Sequence, residues 1–233
     1  MALPIQTAPT YTCTLPSTGE TVKYRPFLVK EQKFLLLAQD GDTAEIVNSV
    51  INLIKATTFD KLDVDSLTMF DLEYLFLKIR SKSVGETQKI RLMCQDSACK
   101  FASDVDINLD DVEVGEIPDM ETRFMLTDEV GVDLKWPSGV KMAAVEGLEP
   151  QTQFTTLLMA SIDKIFDAEN VYNSVDIDES ELREFVENLT IIQTDQFTEF
   201  FENLPSIRKT VEWKCDSCGK GNELELKGLN SFF

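Results

Sequence analysis

Four of the five cysteines fall in two close pairs, Cys94 with Cys99 and Cys215 with Cys218, separated by four and two residues. This spacing restricts the fold more than any other feature, because thiols that close in sequence face a common point only across a tight turn. The chain offers no basic flank and apolar run at Met1–Pro4 of the kind a secretory signal needs, so synthesis in a reducing, cytosol-like compartment is expected. Stable disulfides are disfavoured there, and paired cysteines are read as thiolate ligands, for which zinc is the usual tetrahedral occupant.

The flanks agree with that reading. Thr210–Lys214 and Glu223–Lys227 have the character of strands around the turn Cys215–Lys220, and Gly219, just past the second cysteine, suits a positive φ that turns backbone amides towards sulfur. Lys89–Met93 and Phe101–Leu109 flank Cys94–Cys99 in the same way, so two knuckles resembling a zinc ribbon are expected. Closing one site across the 115 residues between Cys99 and Cys215 (215 − 99 − 1) costs about 4 kcal/mol plus a constant. Structural zinc supplies roughly 10–16 kcal/mol in peptides, which exceeds that cost. The alternative is four buried free thiols, cysteine being often a small core residue. Cys13, in the alternating stretch Tyr11–Leu15, reads as an ordinary strand residue.

Charge and composition narrow the function. With 41 acidic and 22 basic residues the net charge is −19, which repels nucleic acid and anionic membranes and leaves proteins as the expected partners. The chain has no histidine, which removes imidazole-activated nucleophiles and the zincin and zinc-deaminase signatures. No dinucleotide or phosphate loop is readable, so no catalytic residues, small-molecule substrate or organic cofactor are expected, and the chain is read as a non-enzyme. A four-cysteine zinc would be structural.

An α+β fold in two related halves is expected, 1–110 and 111–233, each with a β-hairpin, helices and a cysteine knuckle. The first half reads as a hairpin over 10–26, a helix over Lys30–Gln39, a helix from Asp42 carrying Ile46, Val50, Ile51 and Ile54, and a helix over about Leu67–Arg80. After a linker at Asp110–Asp119, the second half reads as a hairpin over Thr122–Ala144 turning at Trp136–Gly139, a helix over Gln151–Phe166, and shorter helices around Leu182–Leu189 and Phe197–Leu204. Nearly constant offsets, 121 from Pro16 to Pro137, 121 from Cys94 to Cys215 and 119 from Cys99 to Cys218, suggest an internal duplication. Phe197, Phe200 and Phe201 are expected in the core, and Leu229, Phe232 and Phe233 are expected to dock within the chain.

The segment Leu15–Lys33, with Arg25, Pro26 and Phe27 at its centre, resembles the opening of the baseplate hub protein family of T-even-like contractile-tailed bacteriophages. The resemblance implies a structural or assembly role in the virion tail baseplate, with other hub and tail proteins as partners. The zinc site rests on the cysteines and not on this resemblance. A zinc-ribbon regulator that binds a polymerase or another host protein is the second reading.

Overall fold

The structure is a computed structural model and describes residues 7–32, 43–117, 122–145 and 147–232. It is a mixed α+β fold divided into two compact units. One is built from Met1–Val64, Phe70–Glu116 and Ser206–Phe233, the other from Asp65–Met69 and Ile117–Pro205. This division differs from the one expected at residues 110 and 111, since both cysteine knuckles belong to the first unit.

The first unit opens on the antiparallel hairpin β1 (Tyr11–Thr14) and β2 (Thr21–Tyr24). Its turn is held from outside: the buried Asp71 carboxylate accepts the Ser17 N–H at 3.1 Å and also the Ser17 hydroxyl. Helix α1 (Thr43–Thr57) buries Val50, Ile51, Leu53 and Ile54, the spacing that places apolar residues on one helical face. Its last turn is closed by Thr57 and Thr58, whose hydroxyls donate to the carbonyls of Leu53 and Ile54. Helix α2 (Met69–Val84) is apolar on more than one side, with Leu72, Leu75, Phe76, Leu77 and Ile79 all buried.

Two longer hairpins complete this unit. Strands β3 (Thr87–Met93) and β4 (Ala102–Asn108) form one. A short strand β5 (Glu113–Val114) follows, and β10 (Ile207–Lys214) with β11 (Gly221–Lys227) forms the other, in the order β11-β10-β5. The segment expected to begin a linker is instead pinned down. Leu109 and Val112 are buried, and Asp110 accepts from Ser81 Oγ and Lys82 Nζ at 2.7 Å each. The chain leaves through β5 and returns through β10 directly beside it, with the Gly115 N–H donating to the Ser206 carbonyl at 3.0 Å. Pairing of these two strands therefore carries part of the loop-closure cost that the cysteine spacing alone would assign to a metal.

The second unit holds a four-stranded antiparallel sheet, β6 (Arg123–Met125), β7 (Gly131–Leu134), β8 (Ile162–Phe166) and β9 (Val171–Asn173), in that order. Its helices are α3 (Gly139–Val145), α4 (Pro150–Ser161), α5 (Glu179–Glu187), α6 (Ile191–Asp195) and α7 (Thr198–Glu202). Leu134, Leu158, Ile162, Leu182, Val186, Phe197 and Phe200 form its core, with Phe201 packed against it, so the phenylalanine stripe lies inside as expected. At Gly131 the sheet leaves no room for a side chain: an added Cβ would lie 2.3 Å from Phe166 Cζ and 2.8 Å from the Phe124 carbonyl oxygen.

Two expectations for this unit are corrected. The hairpin turns at Thr127, whose hydroxyl accepts the N–H groups of Glu129 and Val130, and not at Trp136–Gly139. Ser138 instead begins α3, its carbonyl accepting from Met142 N and its hydroxyl from Lys141 N, a role for which serine before a helix is well suited. Pro16 and Pro137 thus occupy different places, a hairpin turn and a helix start, and this pair does not mark equivalent positions. The helix expected over Gln151–Phe166 ends at Ser161, because Ile162–Phe166 continue as the strand between β7 and β9. β-Branched residues at 162 and 165 suit that pleated setting.

Of the helix expected over Lys30–Gln39, the described part is the end of a 3-10 turn at Val29–Glu31 followed by Gln32 in helical conformation, and residues 33–39, with the cap at Asp42, lie outside the described residues. At the other end Phe232 is fully buried and the Leu229 N–H donates to Glu73 Oε1 at 2.9 Å, so this end docks within its own unit. Phe233 lies outside the described residues.

Candidate metal centre

Each cysteine pair sits at the turn of a long hairpin. Before the first pair the Cys94 N–H donates to the Phe101 carbonyl at 2.8 Å, and before the second the Cys215 N–H donates to the Lys220 carbonyl at 2.9 Å. Within the turns, the Cys99 N–H donates to the Asp96 carbonyl and the Gly219 N–H to the Cys215 carbonyl. The residue after the second cysteine takes positive φ in both, +70° at Gly219 and +49° at Lys100. Glycine was expected to serve this purpose at 219. That a lysine does so at 100 shows the turn geometry is imposed even where the side chain resists it.

The two turns bring all four sulfurs together. Cys94 Sγ lies 3.7 Å from Cys218 Sγ and Cys99 Sγ lies 3.7 Å from Cys215 Sγ, so each close contact joins the two hairpins. All four sulfur atoms lie within 4.8 Å of one another. Disulfide sulfurs would be about 2.05 Å apart, and these cysteines are free. Sulfurs about 2.3 Å from a tetrahedral ion stand about 3.8 Å from one another, so the set can hold a metal ion with small movements of the longer edges. Cys13 is not part of the cluster: it is half-buried on β1 opposite Val22, and burial pushes its thiol up to about 11.

The surroundings suit negative charge on sulfur. The Cys215 thiol is drawn down to about 7, first by the Cys218 backbone N–H and then by that of Ser217, against the effect of burial. At Cys218 the Lys220 N–H acts in the same direction, but burial and the neighbouring sulfurs of Cys99, Cys215 and Cys94 outweigh it and push the thiol up to about 12. Charge on one of these sulfurs thus opposes charge on its neighbours. A cation reverses that opposition, since coordinating thiols lose their protons outright.

Polar side chains that the sequence did not single out join the hairpins around the sulfurs. The buried Asn222 accepts the Gln95 N–H at 2.9 Å, lies 3.6 Å from Cys94 Sγ, and donates to the Lys220 carbonyl at 2.9 Å. The buried Ser103 hydroxyl accepts the Asp216 N–H at 3.1 Å, and Gln95 Nε2 donates to the Glu223 carbonyl. Lys220 and Asp96 form an ion pair at 3.7 Å. These bonds fix how the two turns meet, as the outer contacts of metal sites commonly do. In sequence, Asn222 and Ser103 are ordinary polar strand residues, and only the docking of one hairpin on the other gives them partners.

Among the described residues no helix is long and apolar enough to cross a membrane. The profile of a family described as "T4 bacteriophage base plate protein" matches residues 8–233. No match was found among curated proteins or among solved structures.

Proposed function

The chain belongs to the T4 bacteriophage base plate protein family, and from that premise we propose that it is a zinc-stabilised component or assembly factor of the tail baseplate hub. Membership supports a structural role in the baseplate, a place in the virion tail and contact with other tail proteins. The hub, the zinc and the absence of catalysis go beyond membership and rest on the residues of this chain.

The observation that carries the metal is the meeting of four thiols, from hairpins distant in sequence, within 4.8 Å. Cys94, Cys99, Cys215 and Cys218 would fill a tetrahedral sphere, which leaves no open position for water or substrate and gives the ion a structural use. The two hairpins then form a zinc-ribbon-like clasp that closes the discontinuous unit. Protein binding accounts for the rest of the reading, since a net charge of −19 disfavours phosphate-rich partners and the chain carries no histidine for acid–base work.

Metal analysis of the purified chain is expected to give one zinc per molecule, and Cys94→Ser or Cys218→Ser to lower stability by several kcal/mol. A metal-free protein with unchanged stability in both variants would overturn the zinc. Mass spectrometry of purified tails and of assembly intermediates tests the baseplate role, and absence from both would overturn it.

A further inference from the structure

The negative charge is unevenly distributed. The unit built from Asp65–Met69 and Ile117–Pro205 holds 20 acidic and 5 basic residues, a net −15, while the other holds 21 and 17, a net −4. Within residues 167–202 the ratio is 11 acidic to 1 basic, the basic residue being Arg183, which pairs with Glu179 at 3.1 Å.

An apolar groove opens in this acidic region. Its floor is made by Leu126 and Val130 from the β6–β7 turn and by Phe185 and Leu189 from α5 and the residues after it, in a hollow of about 440 Å³. Glu181 and Glu184 stand on its rim, both exposed. One end is closed by Gln193, whose Nε2 donates to the Leu126 carbonyl at 2.7 Å. A second hollow of about 330 Å³ shares Val130, Glu181 and Phe185 and continues past Ile165 and Tyr172. Just beyond Leu189, Ile191 and Ile192 are 79% and 85% exposed, two adjacent large apolar side chains in open solvent.

We propose that this groove receives a basic amphipathic helix of a partner protein, with two large apolar side chains seated in the adjoining hollows and lysines or arginines meeting Glu181 and Glu184. Charge complementarity selects the occupant. A second copy of this chain would bring a matching net −15 to the contact, and polyphosphate or an anionic lipid surface would be repelled in the same way. Two hollows that share Val130, Glu181 and Phe185 suit neighbouring apolar anchors on one face of a helix, the way helices are read in apolar grooves. The proposal rests on the reading that the chain works by binding proteins, and it adds the surface and the chemistry of the partner.

The probe is a fluorescent 18-residue peptide of leucine and lysine with its leucines at helical spacing, titrated into the full chain and followed by anisotropy at several salt concentrations. Two peptides serve as comparison, one with the same composition scrambled and one with glutamate in place of lysine. The Leu/Lys helix is expected to bind at least tenfold more tightly than either and to slow hydrogen exchange at Thr127–Val130 and Glu181–Gln193. The double variant E181K/E184K is expected to weaken it at least tenfold, and E20K/E116K, an equal charge change in the other unit, less than twofold. Equal binding of the scrambled peptide, or equal loss in both double variants, overturns the proposal by showing general charge attraction. A dimer in sedimentation that E181K/E184K disperses also overturns it and gives the face to a second copy. If the peptide fails while the chain is still found in purified tails, the groove assignment falls and the baseplate role stands.

Discussion

Truncating Arg25 to alanine tests whether the Arg25, Pro26, Phe27 step holds its unit together. The guanidinium donates to both oxygens of Glu31 at 2.9 and 2.8 Å, to the Ala56 carbonyl at 2.9 Å and to the Pro26 carbonyl at 3.0 Å. It therefore ties the end of β2 to the 3-10 turn at Val29–Glu31 and to the last turn of α1. Glu31 is only 4% exposed, and in the variant its carboxylate keeps the Leu28 N–H at 2.8 Å but loses its counter-charge. Removing one member of a buried pair costs roughly 3–5 kcal/mol, mainly through the charge left behind. Against a total of roughly 5–15 kcal/mol this is a large fraction. In a Trp136→Phe background the remaining Trp213 reports on the first unit alone, and its urea midpoint should fall by more than about 1 M. The double variant Arg25→Ala/Glu31→Gln should be more stable than Arg25→Ala, because the stranded charge is gone. The pH dependence has a definite sign. The Arg25 guanidinium holds the Glu31 carboxyl below its ordinary value, so the pair's contribution is complete above the unfolded pKa of about 4.3 and is lost as pH falls through the lower folded value. Wild type and Arg25→Ala should therefore converge in stability on acidification. A change in stability below about 0.5 kcal/mol, within the range of ordinary surface substitutions, would refute the argument.

Three further outcomes follow from the packing. Asn222→Ala leaves the Gln95 N–H and Lys220 carbonyl without their side-chain partner, so chemical denaturation should show a loss of about 1–3 kcal/mol, and the proposed zinc should be released at a lower chelator concentration. Gly131→Ala places a methyl group within 2.3 Å of Phe166 Cζ, and overpacking of this kind should lower stability by about 1–3 kcal/mol, read by calorimetry as an earlier transition. Lys100→Gly relieves a left-handed lysine at φ +49°, and since the strain exceeds the entropy cost of glycine, a gain of up to about 1 kcal/mol in thermal unfolding is expected.

The two cysteine turns were legible in the sequence because their signals are short-range. Cysteines two and four residues apart, flanked by alternating residues, define hairpin turns, and β3–β4 and β10–β11 follow that pattern. The first hairpin, the apolar face of α1 and the burial of Phe197 and Phe200 were legible for the same reason, each resting on a local period or turn. The turn at Trp136–Gly139 was misread because serine after proline serves a helix start as readily as a hairpin. Ile162–Phe166 was misread because a short apolar run fits either period until neighbouring strands claim it.

By itself the sequence determined the α+β class, the two cysteine turns, the large negative charge and the lack of imidazole chemistry, all of which are properties of composition or of residues close along the chain. Only the tertiary structure decided that both knuckles belong to one unit with residues 117–205 inserted between them, that Asn222 and Ser103 lock the turns together, and that Glu181 and Glu184 stand on the rim of an apolar groove. These features depend on which distant segments pair, and pairing of β5 with β10 or docking of one hairpin on another is selected by the energy of the whole folded chain, which no local pattern encodes.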